Sequence, residues 1–273
     1  MTEKPGSRLL AGMKLYWVLA SASVRAKMEY KFDFIASALA QSFMGMYDYL
    51  IVAVILWRFR TVRGWDIWEV GLLYGVAKIG WGIYRTIGEE LDKFENYIVR
   101  GDFDSVLIRP WPSLFVLLSR NIEITRFGWV LEGLMVGSVS AAHLLGTGVL
   151  TWRAAPLLGF YAVCTACLYL GIGIATSSAA FKIVRIEELQ VFTQNAPGTA
   201  VLYPLEIYPN WLRFVLLSAL PLGVGNYIPV RYMLGKGGTW LNLVLPPIVA
   251  IVALYGAGLL WAAGEKRYHS TGS

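Results

Sequence analysis

The chain has 273 residues, 56% hydrophobic and 15% charged, with a formal net charge of +6 and a mean hydropathy of +0.54. An ordinary soluble domain carries roughly a quarter of its residues as charges, so the composition argues against a water-soluble fold and for a bilayer as solvent. The positive charge forms no basic cluster with interleaved aromatics, which argues against a nucleic-acid partner and for an anionic lipid surface.

In chain order, the N-terminus shows no apolar core before a small-residue cleavage site, so no cleaved signal peptide is expected. Met13, Trp17, Ala20, Val24 and Met28 then recur at helical spacing, with Lys14, Ser21 and Arg25 elsewhere on the wheel. That pattern predicts a helix over 8–31 lying in the headgroup layer, with a plain extension of the first crossing as the alternative. Apolar blocks follow at 34–57, 67–87, 127–145, 156–180 and 241–263, each able to span about 30 Å as a helix.

Two further segments compete for one crossing. Residues 183–203 are long enough but carry Glu187, Glu188, Gln190, Gln194 and Asn195, whereas 211–229 are more apolar but broken by Pro221, Gly223 and Gly225. Either choice gives six crossings with both termini on one side. Placing the N-terminus inside puts Lys and Arg in cytoplasmic segments over outer ones by roughly two to one, despite Arg58, Arg60 and Arg63 in the first outer loop.

Asp48 and Lys78 are the charges set deepest in the first two blocks, and Glu132 lies inside the third; Gln194 and Asn195 join these intramembrane polar groups if 183–203 crosses. At 1.5 Å per residue, Asp48 lies about 14 Å and Lys78 about 16 Å from the outer ends of the first two crossings. Each would cost roughly 2.5–3.5 kcal/mol alone near the bilayer centre. Their similar depth predicts an Asp48–Lys78 ion pair; a wet cavity for Asp48 and another subunit for Lys78 are the alternative.

Catalytic signatures are scarce. The histidines, His143 and His269, have no Cys or carboxylate cluster around them, and Cys164 and Cys167 are spaced as stacked residues on one helix face. There is no P-loop and no Gly-x-Ser-x-Gly elbow. Neither a cofactor nor an enzymatic activity is expected.

The most informative stretch is 89–112. Leu91, Phe94, Tyr97 and Ile98 fall on one face of a short helix with acids opposite, Gly101 ends it, and Arg109-Pro110 closes the next short element. Such a helix either packs on its own protein or docks into a partner's groove.

Gly101-Asp102-Phe103-Asp104-Ser105-Val106-Leu107-Ile108-Arg109-Pro110 resembles the Gly-x-(Leu/Phe)-Asp-x-x-Leu-(Leu/Ile)-Arg-Pro signature of a family of type-2 ATP-binding-cassette (ABC) exporter permeases. Tyr203-Pro204 through Tyr208-Pro209 with Trp211-Leu212-Arg213, Asn226-Tyr227-Ile228-Pro229, and the tail from Arg267 also match that family, in order and across nearly the whole chain. The resemblance implies an all-α polytopic membrane protein of the bacterial cytoplasmic membrane. Its six crossings would come with an N-terminal interfacial helix, a cytoplasmic coupling helix and a re-entrant outer hairpin. That selects 183–203 as the fifth crossing and 211–229 as the hairpin.

It further implies ATP hydrolysis in a separate ATPase present in two copies, and a second permease, identical or different. The coupling contacts would be Leu91, Phe94, Tyr97, Arg100, Asp102, Asp104 and Arg109, so that aspartate at Phe94 and Tyr97 would undock the ATPase. The expected cargo is an amphipathic, drug-like or lipid-like solute; a membrane anchor for an ATPase in sensing or immunity is the alternative.

Overall fold

Long apolar blocks with few interior breakers leave the backbone little choice but helix, because in lipid every N–H and C=O must be satisfied within the segment. The computed structural model describes residues 31–183 and 185–268 together with Ser21 and Arg25. The interfacial helix expected over 8–31 lies, apart from those positions, outside the described residues. Five long helices dominate: α1 (Lys31–Phe59), α2 (Ile67–Ile87), α3 (Phe127–Gly146), α4 (Ala154–Ser178, prolonged by a turn at Ala180–Ile183) and α5 (Leu241–Glu265). Among the described residues the only extended pairing is an isolated bridge between Val62 and Trp65.

By length and composition, four stretches among the described residues can cross a membrane: Ile35–Arg58, Ile124–Gly146, Ala154–Ile183 and Leu241–Glu265. A fifth candidate is a pair, Asn210–Ala219 and Leu222–Met233, bent by 76° where Leu220 and Pro221 break the rod. Helix α2 is not among them because Glu69, Lys78 and Arg85 interrupt its apolar run. It needs no lipid-compatible surface, since α1, α3 and α4 enclose it; Leu72, Leu73, Tyr74 and Ala77 are all essentially inaccessible.

Small residues let the neighbours approach α2 closely. A Cβ placed on Gly75 would lie 2.5 Å from the Gly137 Cα and 2.9 Å from the Gly133 carbonyl oxygen of α3. On the opposite flank, a Cβ on Gly80 would meet Thr165 of α4 at 2.7 Å. Dispersion between backbones drives such contacts where lipid supplies no hydrophobic gain. Asp66 caps α2, accepting from the Trp68 and Glu69 amides at 2.9 and 2.8 Å while Glu69 accepts from the Asp66 amide at 2.8 Å. This reciprocal box is worth about 1 kcal/mol. Lipid-facing side chains concentrate on α1 and α5, where Phe43, Val54, Ile251 and Tyr255 stand exposed.

Residues 187–200 form one helical rod in three parts: Glu187–Gln190, a π-helical turn at Val191–Asn195, and Ala196–Ala200. At about 21 Å by α-helical rise, the rod is shorter than a bilayer core, and the chain leaves it as a non-helical run through Pro204. Asn226, within the second helix of the bent pair, ties back to this run by donating to the Val201 carbonyl at 2.7 Å. A second π-turn, Val215–Ala219, precedes the bend.

The end of the bundle beside the bent pair is held by charges. Lys236 reaches Glu69 at 2.9 Å and the Gly64 carbonyl at 2.5 Å, and Glu206 accepts from Tyr227 at 2.6 Å with Arg231 at 3.4 Å.

The α2–α3 contact yields a direct test. Gly75→Ala is expected to cost about 1–3 kcal/mol by overpacking, read as a lower melting temperature of the purified chain. Gly256→Ala, whose new Cβ meets nothing within 4 Å, should stay within about 0.5 kcal/mol of wild type. Equal effects would show that the close approach carries no stability.

Candidate functional site

Two sites emerge. The first lies on one face of α2, where Tyr74, Lys78, Trp81 and Arg85 recur at helical spacing. Lys78 Nζ is 3.8 Å from Glu132 Oε1 of α3 and 5.3 Å from the centroid of the Tyr74 ring. The Tyr74 hydroxyl is within hydrogen-bond reach of the Glu132 carboxylate and of the Gly45 carbonyl, the latter at 2.9 Å. Glu132 is fully buried, and α1 makes room for it with a glycine: a Cβ on Gly45 would sit 1.9 Å from Glu132 Oε2.

The structure thus gives Lys78 a partner in Glu132 of α3. The Asp48 side chain, the partner expected from depth alone, falls outside the described side chains.

Beside this pair opens a cavity of about 330 Å³, lined by Lys78, Trp81 and Arg85 of α2, Trp129 of α3, Gly45 of α1, and Asn195, Thr199 and neighbours from the 187–200 rod. The Arg85 guanidinium lies over the indoles of Trp81 and Trp129, at 5.4 and 5.9 Å from their centroids, and is ion-paired with Asp92. Burial pushes the Asp92 carboxyl above its ordinary value, with the Arg85 charge opposing. Asn195 is exposed to the cavity, whereas Gln194 turns inward and accepts from the Tyr84 hydroxyl. Sequence reasoning missed Trp81, Arg85 and Trp129, although the recurrence of Lys78, Trp81 and Arg85 on one face was visible.

The second site is the loop after α2. Its apolar face points into the protein: Leu91, Phe94, Phe103 and Val106 are fully buried. Phe94 stacks in a cluster with Phe103 (5.2 Å), Phe181 beyond α4 (5.1 Å) and Trp261 of α5 (4.7 Å), and Phe103 meets Tyr268 at 5.1 Å. Polar bonds reinforce it. Ser177 donates to the Leu91 carbonyl at 2.9 Å, Glu95 accepts from the Ile186 amide at 2.8 Å, and Trp261 donates to Ser113 at 2.9 Å. Gly101 terminates the helix Phe94–Arg100 in the left-handed region, at φ 72°.

Leu91 and Phe94, two of the expected contacts, are thus covered by the chain itself, against the ends of α4 and α5. Tyr97 is half-buried, its hydroxyl donating to Glu90 with Arg120 over its ring at 5.3 Å. Arg100, Asp102 and Arg109 are exposed and Asp104 is partly so. The outward surface is capped by Ile108, 85% exposed, with Val99 and Leu107 beside it.

The match to known families falls on this architecture. A family model described as ABC-2 family transporter protein covers residues 43–272. The chain belongs to that family. No curated protein and no solved structure matches it. As an ABC-2 protein it is a membrane component of a transport system, multi-pass and helical, in a family that is generally non-catalytic itself.

The buried pair of this ABC-2 chain makes a second prediction. Glu132→Ala should cost about 3–5 kcal/mol by stranding a buried cation, measured by thermal unfolding in detergent. Lys78→Met with Glu132→Leu should lose less than the sum of the single changes, by at least about 1 kcal/mol of coupling. Strict additivity would show that the two charges do not interact.

Proposed function

We propose that the chain is the membrane-spanning permease of an exporter that moves an amphipathic, drug-like or lipid-like solute outward, driven by a separate ATPase present in two copies. A second permease, identical or different, completes the pathway. The observation that carries this reading is the 89–120 loop: an exposed apolar tip at Ile108 on a body welded by aromatic stacking to the ends of α4 and α5. A push on Ile108 has no soft element in which to dissipate. It moves Phe94 and Phe103, and through them Phe181 and Trp261.

Closure of the ATPase dimer on ATP would in this way shift α4 and α5 against α2, alternating access between two packings of the bundle. The chain crosses six times in this reading, with both termini in the cytoplasm of a bacterial cell. The fifth crossing is the 187–200 rod with the run that follows it, and Asn210–Met233 is a hairpin re-entering from outside.

The coupling surface is accordingly Val99, Arg100, Asp102, Leu107, Ile108 and Arg109, with Leu91, Phe94 and Tyr97 as its support. Ile108→Asp is expected to reduce pull-down of the ATPase at least tenfold, since an apolar anchor contributes a few kcal/mol to such an interface, while leaving the melting temperature of the permease unchanged. Wild-type pull-down would remove the tip from the interface. Phe94→Asp should instead lower stability directly. Solute-stimulated ATP hydrolysis in the reconstituted pair separates an exporter from a mere anchor.

Orientation is checked separately. A cysteine at the exposed Asn210, with Cys164 and Cys167 replaced by alanine, should react with an impermeant maleimide added to intact cells. Reaction only after permeabilisation would place that end inside and overturn the hairpin assignment.

A further inference from the structure

The cavity against α2 has a chemical character of its own. Its charged lining side chains among the described residues, Lys78 and Arg85, are both cationic, and two indoles, Trp81 and Trp129, form much of the rest. Each has a carboxylate partner outside the lining. Glu132, fully buried, lies 3.8 Å from Lys78, and Asp92 binds Arg85 from beyond the end of α2; neither is among the lining residues. Among the described residues no carboxylate lines the cavity, so the charged groups that face its opening are cationic.

The aromatic faces would suit a cation, but Arg85 already occupies them, lying over both indoles. A cationic solute would have to displace Arg85 and meet Lys78 at close range. An anion would meet two fixed charges in a low-dielectric setting, where each is worth several times its value in water. Asn195 and Thr199, both exposed, add hydrogen-bonding side chains opposite the cations. At about 330 Å³ the cavity is of the size that holds a small ring system or a lipid headgroup.

We infer that this cavity binds the anionic head of an amphiphile whose apolar or aromatic part lies against Trp81 and Trp129. The inference rests on the export reading for its meaning as a cargo site, but the site itself is testable without transport. Two sources supply the chemistry, an anionic phospholipid and a free aromatic anion.

The test uses the full chain in maltoside micelles and two probes with the same ring and opposite charge: 2-naphthalenesulfonate and trimethyl(2-naphthyl)ammonium, titrated calorimetrically. Wild type should bind the sulfonate at least tenfold tighter. Asn195→Asp changes no shape and sits at an exposed position, yet adds a carboxylate facing Lys78 and Arg85. It should weaken the sulfonate about tenfold and strengthen the ammonium. A purely structural effect would move both probes in the same direction.

The double variant Lys78→Gln/Glu132→Gln, which removes the cation together with its counter-ion, should erase most of the preference. Native mass spectrometry after exchange into equimolar phosphatidylglycerol and phosphatidylcholine separates the sources. Selective retention of phosphatidylglycerol that Asn195→Asp abolishes identifies lipid, and sulfonate selectivity without lipid retention identifies a soluble solute. Equal affinity for the two probes, or a sulfonate preference that Asn195→Asp leaves untouched, overturns the inference. Absence of ATP-driven movement with intact sulfonate selectivity would sink the export reading and leave this one standing.

Discussion

A charged helix enclosed by protein is the constraint around which this molecule is organised. Helix α2 carries Glu69, Lys78 and Arg85, none of which lipid would tolerate without heavy cost. Each is answered by a different neighbour: Lys236 beside the bent pair, Glu132 from α3, and Asp92 from the loop. Enclosure in turn demands close approach, and Gly75, Gly80 and Gly82 of α2 supply it. Remove the glycines and the helices separate; remove the charges and nothing requires α2 to sit at the centre. The two features are halves of one arrangement, and the cavity exists because bulky Trp81 and Trp129 interrupt it.

The loop beyond α2 follows another logic. Its buried aromatics unite four separate pieces of chain, around residues 94, 103, 181 and 261–268. Aromatic pairs of this kind add about 0.5–1.5 kcal/mol each beyond their area, so the cluster is stiff rather than hinged. A stiff cluster transmits displacement, and its stiffness comes from side chains supplied by both α4 and α5.

Much of this was legible in the sequence. Composition and apolar blocks pointed to a helical membrane protein with several spans, and the Gly101–Pro110 motif pointed to the family. What stayed hidden has physical causes. The amphipathic face of 91–98 reads the same whether it packs inward or docks outward, because periodicity records that a face is apolar and not what covers it. The partners that resolve the ambiguity, Phe181 and Trp261, are more than 80 residues away in the chain. Depth arithmetic ranks partners only within the first two crossings, so it could not single out Glu132, which comes from the helix packed tightest against α2. The glycines that permit this were visible as Gly71-x-x-x-Gly75 and Gly133-x-x-x-Gly137, but spacing alone does not say which two stripes face each other. The polar segment 183–203 has its first residue in the turn that prolongs α4, and its rod runs on through a π-turn that no propensity scale marks.

That π-turn carries a consequence for the cavity wall. A π-helical stretch is an α-helix into which one surplus residue has been wound. The surplus is a topological defect. It can migrate along the rod by exchanging one set of carbonyl partners for the next, without the rod ever coming apart. Each residue that the defect passes is turned by about 100° about the axis. Asn195 is the last residue of the Val191–Asn195 turn, and Gln194, one position earlier, is buried where Asn195 is exposed. Passage of the defect across this pair would swing a different side chain toward the cavity while the ends of the rod stayed anchored. A shift of the turn by one register would therefore alter what the wall opposite Lys78 and Arg85 presents to the cavity, at the cost of a few exchanged hydrogen bonds.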